Sequence, residues 1–232
     1  MDSKQFQGAG IERAVQIPVR HANLQGDLAV PDSALGIVVF AHGSGSGRHS
    51  PRNRYVAEVL QEAGLATLLM DLLTSDEEAY DSQTGVLRFN IEFLARRLIE
   101  ATHWSMIHPQ TAQLSIGYFG ASTGAAAALV AAAELPDVIE AVVSRGGRPD
   151  LAGEALRQVF APTLLIVGSS DRVVLELNRK ALAELPGEKK LEIVPGATHL
   201  FEEPGTLEAV AQLAKNWFVF HLGLANKRKR AA

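Results

Sequence analysis

The chain has 232 residues, 47% of them hydrophobic and none of them cysteine. That suits one globular domain over 1–232 with a sizeable core, and excludes a disulfide framework, a thiolate metal site and a thiol nucleophile. The formal net charge is -4, yet Lys227, Arg228, Lys229 and Arg230 cluster in a basic tail at the C-terminus. Without those four, 18 of the 22 basic residues remain against 26 acidic ones, a balance of -8. Neither nucleic acid nor an anionic membrane is expected as a partner of so acidic a body. The tail, about 226–232, reads as a solvated end that complements the negative pole of the last helix. Met1 to Gly10 is polar, and no later run approaches the roughly 18 apolar residues of a membrane span. The expectation is a soluble, cytoplasmic protein, monomeric or homodimeric.

In chain order, Ala14 to Val19 and Leu24 to Val30 alternate apolar and polar residues. They read as an antiparallel hairpin at a sheet edge, turning near His21 to Asn23. Short apolar runs follow at Ile37 to Ala41, Leu65 to Met70, Leu114 to Phe119, Ile139 to Val143, Thr163 to Val167 and Leu191 to Val194. Continuous rather than alternating hydrophobicity predicts parallel strands covered on both faces. Helices fit between them. Ser50 caps the first, with Pro51 at its first position and Gly64 closing it. Others are predicted over Val86 to Thr102, Thr123 to Glu134, Leu151 to Val159, Val173 to Leu185 and Thr206 to Leu222. Strand and helix alternate through most of the chain, which predicts an α/β fold: a doubly wound, mostly parallel eight-stranded sheet whose ligands bind at the carboxyl ends of its strands. Ala125 to Ala128 and Ala131 to Ala133 make the helix after Ser122 thin enough to lie close under the sheet.

Gly120-Ala121-Ser122-Thr123-Gly124 is a G-x-S-x-G between an apolar strand and that alanine-rich helix. It reads as a nucleophile elbow, where a sharp strand-to-helix turn lifts a serine above the sheet, and glycines two positions either side avoid collisions at the corner. A serine hydroxyl needs a base, and the base a carboxylate. Asp171 leaves the Thr163 to Val167 strand through Gly168-Ser169-Ser170, and His199 leaves the Leu191 to Val194 strand through Pro195-Gly196-Ala197-Thr198. The order Ser, Asp, His is that of the α/β-hydrolase scaffold. Taken alone, Asp171 could be a helix cap and His199 a satisfied loop histidine; their joint placement after separate strands favours catalysis. Asp150 is the reserve acid.

A tetrahedral intermediate needs hydrogen-bond donors for its oxyanion. The Thr123 N–H and, from His42-Gly43-Ser44-Gly45-Ser46-Gly47, the Ser44 N–H are the candidates. This glycine loop lacks the Gly-Lys-Ser/Thr or G-x-G-x-x-G of a phosphate cradle. Candidate substrate-contacting residues are His42, which orients the loop, Gly43, Arg48, Arg145 and Arg148. For the arginines the competing reading is structural ion pairing with Asp71 or Asp150. No metal or organic cofactor is expected.

On Val39 to Gly45, Gly117 to Gly124, Gly168 to Asp171 and Pro195 to Phe201, the chain resembles the α/β-hydrolase superfamily, and within it the dienelactone hydrolase-like branch. True dienelactone hydrolases carry a cysteine nucleophile, whereas position 122 is serine. The resemblance therefore implies a serine esterase, cleaving small carboxylic esters or lactones through an acyl-enzyme. Some relatives are fused to a phosphoribosyltransferase domain, which is not expected here. Relatives acting on long acyl chains insert a helical cap between the strands near Val143 and Thr163. This interval holds little more than one helix, so no cap domain is expected, and the acidic segment Ser75 to Thr84 is the only candidate flap. The rival readings are thioester, amide or peptide cleavage or acyl transfer on the same triad, and a non-catalytic scaffold that senses a ligand or binds a partner.

Overall fold

The computed structural model describes residues 12–20 and 22–231, with side chains to Ala225. The polar start Met1 to Gly10, His21 of the predicted turn and the side chains of the basic tail lie outside the described residues. The leading hairpin is β1 (Glu12–Val19) and β2 (Ala22–Ala29), paired antiparallel. Next come β3 (Ile37–Ala41), α1 (Pro51–Glu62), β4 (Ala66–Met70), α2 (Ser75–Thr84) and α3 (Ile91–Ile107). Then follow β5 (Ile116–Ala121), α4 (Thr123–Glu134), β6 (Ile139–Arg145), a 3-10 segment (Pro149–Gln158), β7 (Thr163–Gly168), α5 (Arg172–Glu184), β8 (Lys189–Val194) and α6 (Thr206–Ala231).

The eight strands form one sheet in the order β1-β2-β4-β3-β5-β6-β7-β8. From β4 to β8 every pairing is parallel, and β2 joins β4 antiparallel. After β3 the chain first extends the sheet on one side, through β4, and then on the other, through β5. The order reverses there, and the crevice above such a reversal is where ligands bind in open α/β sheets.

Alternate side chains of the central strands serve opposite faces. Tyr118 packs in the cluster formed with α3 and α4, while Phe119 packs in the cluster formed with α1 and α6 and lies 4.9 Å from the Phe40 ring, centroid to centroid. Buried Tyr118 shares a 2.6 Å hydrogen bond with the Thr102 hydroxyl, so its oxygen is satisfied inside the core. Ala125 to Ala128, Ala131 and Ala132 are all fully buried, which places α4 close beneath the centre of the sheet.

Four expectations shift. The helix predicted over Val86 to Thr102 begins at Ile91, where the Asn90 side chain accepts from Phe93 N–H, and runs to Ile107. Residues 85–90 are a turn instead, because buried Asp81 accepts from the Leu87 and Arg88 N–H groups and from the Arg88 guanidinium. The acidic segment Ser75 to Thr84 is a docked helix rather than a flap. Thr74 and Glu77 form a reciprocal capping box at its start, and Arg97 holds Glu77 at 2.6 Å. The helix predicted over Leu151 to Val159 is the 3-10 segment, broken at Gly153 with φ 54°. α6 extends nine residues beyond Leu222. As expected, no cap domain lies between β6 and β7, and no described helix is long and apolar enough to cross a membrane.

Candidate active site

β5 ends at Ala121 and α4 begins at Thr123, leaving Ser122 alone to make the corner at φ 51°, ψ -122°. A serine at positive φ is strained, and here its neighbours impose it. A Cβ on Gly120 would lie 2.8 Å from Ala125 N and closer still to Ala125 Cα; one on Gly124 would lie 2.7 Å from the Ala41 carbonyl carbon and closer to the Ala41 and His42 oxygens. The two glycines thus let β5, α4 and the loop after β3 meet at one point. Gly43 brings that loop against Ser122 itself, since a Cβ there would be 3.0 Å from the Ser122 Cβ.

The acid and base loops are tied together by backbone. Ser170 N–H donates to Ala197 O at 2.9 Å, Ser169 N–H to Val194 O at 2.9 Å, and Gly196 N–H to the Ser169 hydroxyl at 2.8 Å. The outcome is a 2.6 Å bond between His199 Nδ1 and Asp171 Oδ2. Although Asp171 occupies the cap position of α5, its side chain makes no cap bond, so the helix-cap reading fails. A carboxylate only accepts, so Nδ1 carries the proton and Nε2 is left with its lone pair. His199 and Ser122 line one cleft of about 190 Å³ without a direct hydrogen bond between them. Such bonds often tighten only when substrate arrives.

His42 is committed to structure. Its Nδ1 donates to Gly43 O at 2.9 Å and its Nε2 accepts from Leu72 N–H at 2.9 Å, which fixes the neutral tautomer. Burial holds its pKa below the usual histidine value. Both ring nitrogens being used, His42 shapes the loop, and its ring also lines a neighbouring cleft.

The oxyanion donors come out differently from expectation. Thr123 N–H belongs to the unpaired first turn of α4 and is free to donate. Ser44 N–H is already engaged, donating to Thr123 Oγ1 at 3.1 Å, with the two hydroxyls 3.0 Å apart. A threonine directly after the nucleophile places an acceptor within reach of that N–H, so the Thr123 hydroxyl must turn aside before Ser44 can serve an oxyanion.

The arginines divide. Arg48 is bound by Asp71, through its backbone N–H at 2.8 Å and through its guanidinium, and Arg148 makes two bonds to Asp150 at 2.9 and 2.7 Å. Neither lines the cleft, so the expectation that they contact substrate gives way to the ion-pair reading, and Asp150 is occupied as well. Arg145 does line it, 8% exposed, its side chain making no hydrogen bond or ion pair to any described residue and its Nη1 buried without a partner. Burial, and then the charge of Arg52, push its pKa down to about 10. Leaving a buried charge uncompensated costs several kcal/mol. Arg52, which is not among the residues expected from the sequence, also lines the cleft. One signal was readable: it stands in the first turn of α1, where the helix dipole favours acidic residues and none occurs. A second cleft of about 720 Å³ shares Ser44, Ser46 and Arg52 with the first and continues past Asp71 to the start of α2.

A family model described as the dienelactone hydrolase family matches residues 24–219. Among solved structures, a dienelactone hydrolase from Anabaena variabilis is 61% identical with a TM-score of 0.90, covering 91% of this chain and 98% of its own. Two more distant structures share the fold. Est1E from Butyrivibrio proteoclasticus is 18% identical with a TM-score of 0.76, covering 90% and 98%. XC6422 from Xanthomonas campestris, described as an α/β serine hydrolase without lid, is 18% identical with a TM-score of 0.72, covering 89% and 93%. A Mycobacterium tuberculosis protein named "Putative phosphoribosyl transferase" is 59% identical over 229 residues, which cover 94% of this chain and 51% of that protein. The chain therefore spans about half the length of the curated relatives it matches. With the family model lying across both the elbow and the loops that carry Asp171 and His199, this chain belongs to the dienelactone hydrolase family.

Proposed function

We propose that the chain is a serine hydrolase that cleaves small carboxylic esters or lactones through an acyl-enzyme. The observation that carries this is the 2.6 Å bond from His199 to Asp171, in a cleft shared with a serine held at positive φ on its elbow. Ser122 Oγ attacks the carbonyl carbon while its proton passes to His199 Nε2. The tetrahedral oxyanion is met by the Thr123 N–H and, once the Thr123 hydroxyl has turned, by the Ser44 N–H. Collapse breaks the ester C–O bond, and His199 returns the proton to the departing alcohol. Water, deprotonated by the same nitrogen, then attacks the acyl-enzyme and frees Ser122. Asp171 stays ionised throughout, fixing the tautomer and stabilising the imidazolium.

An open site without a cap favours small, water-soluble esters over lipids. The transferase name of the mycobacterial relatives belongs to proteins about twice as long, and the hydrolase family model spans most of the part matched here. Labelling with a fluorophosphonate probe tests the reading. The native chain should label and Ser122→Ala should not. A folded native chain that stays unlabelled, or a mutant that labels equally, refutes it.

A further inference from the structure

We propose that Asn178 is a positioning residue for the reaction, which acts through the loop 145–148 to fix the nucleophile relative to the acid and the base. The inference rests on the serine-hydrolase reading above and assigns a residue outside the cleft that Ser122 and His199 share. Loop 145–148 holds Ser122 by both backbone groups: the Arg145 carbonyl accepts from Ser122 N–H at 3.3 Å, and the Ser122 carbonyl accepts from Arg148 N–H at 3.1 Å. The strained corner is thereby pinned from the next strand. Gly146, at φ 50°, carries the same loop against the base, since a Cβ there would lie 3.0 Å from the His199 carbonyl oxygen and 3.6 Å from Cε1 of its ring. Gly147 lies against α4, where a Cβ would be 2.6 Å from the Ala125 Cβ.

Asn178 ties that loop to the helix of the acid. Asp171 stands at the cap position of α5 and is spent on His199; Asn178 follows seven residues later, two turns along the same face and about 10 Å away. Its Nδ2 donates to Gly147 O at 2.9 Å and to Val174 O at 2.8 Å. Carbonyls only accept, so the amide nitrogen must be the atom that faces them. One helix therefore carries the acid at its start and, two turns on, the bond that holds the nucleophile's loop.

What marks this asparagine is a polar group set among apolar neighbours. Asn178 is fully buried with its Oδ1 unpartnered, and Val174, Leu175 and Ala181 share the buried face of α5 with it. An unsatisfied buried carbonyl costs stability. The bond to Val174 stays within the helix, so the tie to Gly147 is what a leucine at 178 cannot supply. A purely architectural tie is the competing account. It predicts a loss of stability without a loss of turnover in protein that remains folded.

The test compares Asn178→Ser and Asn178→Leu with the native chain, by 4-nitrophenyl acetate turnover and by the rate of fluorophosphonate labelling, well below each Tm. A serine in a helix can bond the carbonyl four residues back, so Asn178→Ser keeps a bond to Val174 but falls short of Gly147, whereas Asn178→Leu loses both. Each variant should lower kcat and the labelling rate by about tenfold to 10², the upper figure being the scale of a misplacement near 1 Å, with KM within about threefold of native. Ile139→Val, at the opposite end of β6, is the stability control and should lower Tm while leaving kcat within about twofold. Should Asn178→Leu fail to fold, Asn178→Ser carries the test. A labelled native protein beside a folded Asn178→Ser whose kcat stays within about threefold of native overturns the proposal, as does an equal kcat loss in Ile139→Val. A folded native protein that does not label sinks the hydrolase reading, and this inference with it.

Discussion

Gly124→Ala tests whether the elbow and the oxyanion loop are built as one object. The new Cβ would stand 2.7 Å from the Ala41 carbonyl carbon and nearer to the Ala41 and His42 oxygens, whereas real Cβ atoms essentially never come within 3.0 Å of a neighbour. All three atoms are backbone, so no rotamer can yield. To carry the nearest of these contacts, to the Ala41 oxygen, out to 3.0 Å, the end of β3 and the start of α4 must part by close to one ångström, with an overpacking cost of about 1–3 kcal/mol. Because Ala41 and His42 lead directly into Gly43 and Ser44, the displacement falls on the Ser44 donor and on its distance to Thr123 N–H. Losing one such donor costs about 10²–10³ in kcat, and a misplacement near 1 Å costs about 10². The expected result is a fall of about 10² in turnover of 4-nitrophenyl acetate, with a Tm loss too small to unfold the protein at the assay temperature. Gly120→Ala is the companion variant. Its Cβ would press on α4 at Ala125, not on the oxyanion loop, so stability should fall by a comparable amount and kcat by less. Equal losses in the two variants, or a Gly124→Ala enzyme within threefold of native, would refute the coupling.

Asp171→Asn should lower kcat by about 10³–10⁴ through the wrong histidine tautomer, with fluorophosphonate labelling slowed in step; a loss under tenfold would remove Asp171 from the triad. Thr123→Val keeps the shape but deletes the acceptor that occupies Ser44 N–H, so kcat/KM should rise by about fivefold, the worth of one hydrogen bond near 1 kcal/mol, while Tm falls. A drop in kcat/KM would instead show that the Thr123 hydroxyl assists the reaction. The unfolding free energy should decline as pH falls below 6.5, the unfolded histidine value. The folded pKa values of His42 and His221 are both lowered by burial, so the unfolded chain binds protons that the folded one refuses. Their contribution is complete above 6.5 and is lost as pH falls toward the folded values. Urea titrations should show a shallower slope in His42→Gln, with the His221 part remaining, and an unchanged slope would contradict the burial argument.

The elements readable from sequence were those whose signal is local. Continuous apolar runs at Ile37 to Ala41 and Thr163 to Val167 marked buried strands because both faces of each are covered. The G-x-S-x-G marked the elbow because the steric demand for its two glycines arises within five residues. α2 escaped because Asp81 is the only buried residue in it, so hydrophobic periodicity has nothing to report. Its capping box, Thr74 with Glu77, was legible and went unused, and the bonds from Arg88 and Arg97 that dock it come from later in the chain. The division among arginines was not legible for a similar reason. Arg48 and Asp71 lie 23 positions apart, and only the β3 and β4 pairing brings them together. The Ser44 to Thr123 bond spans 79 positions and depends on one rotamer, which no pattern encodes.

The cleft draws on two kinds of construction, with different consequences for what can change. The proposed nucleophile, acid and base are positioned by backbone: by glycines that admit close approach, by Ser169 and Ser170 bonded to the histidine loop, and by the strain at Ser122. Little in that framework depends on which ester arrives. The side chains of Arg145 and Arg52 line the cleft from β6 and α1, and that of Arg145 makes no hydrogen bond to any described residue. An unpaired buried cation is also a standing cost in stability. Arg145, 8% exposed and without a side-chain partner, places that cost beside Ser122, and no described carboxylate offsets it.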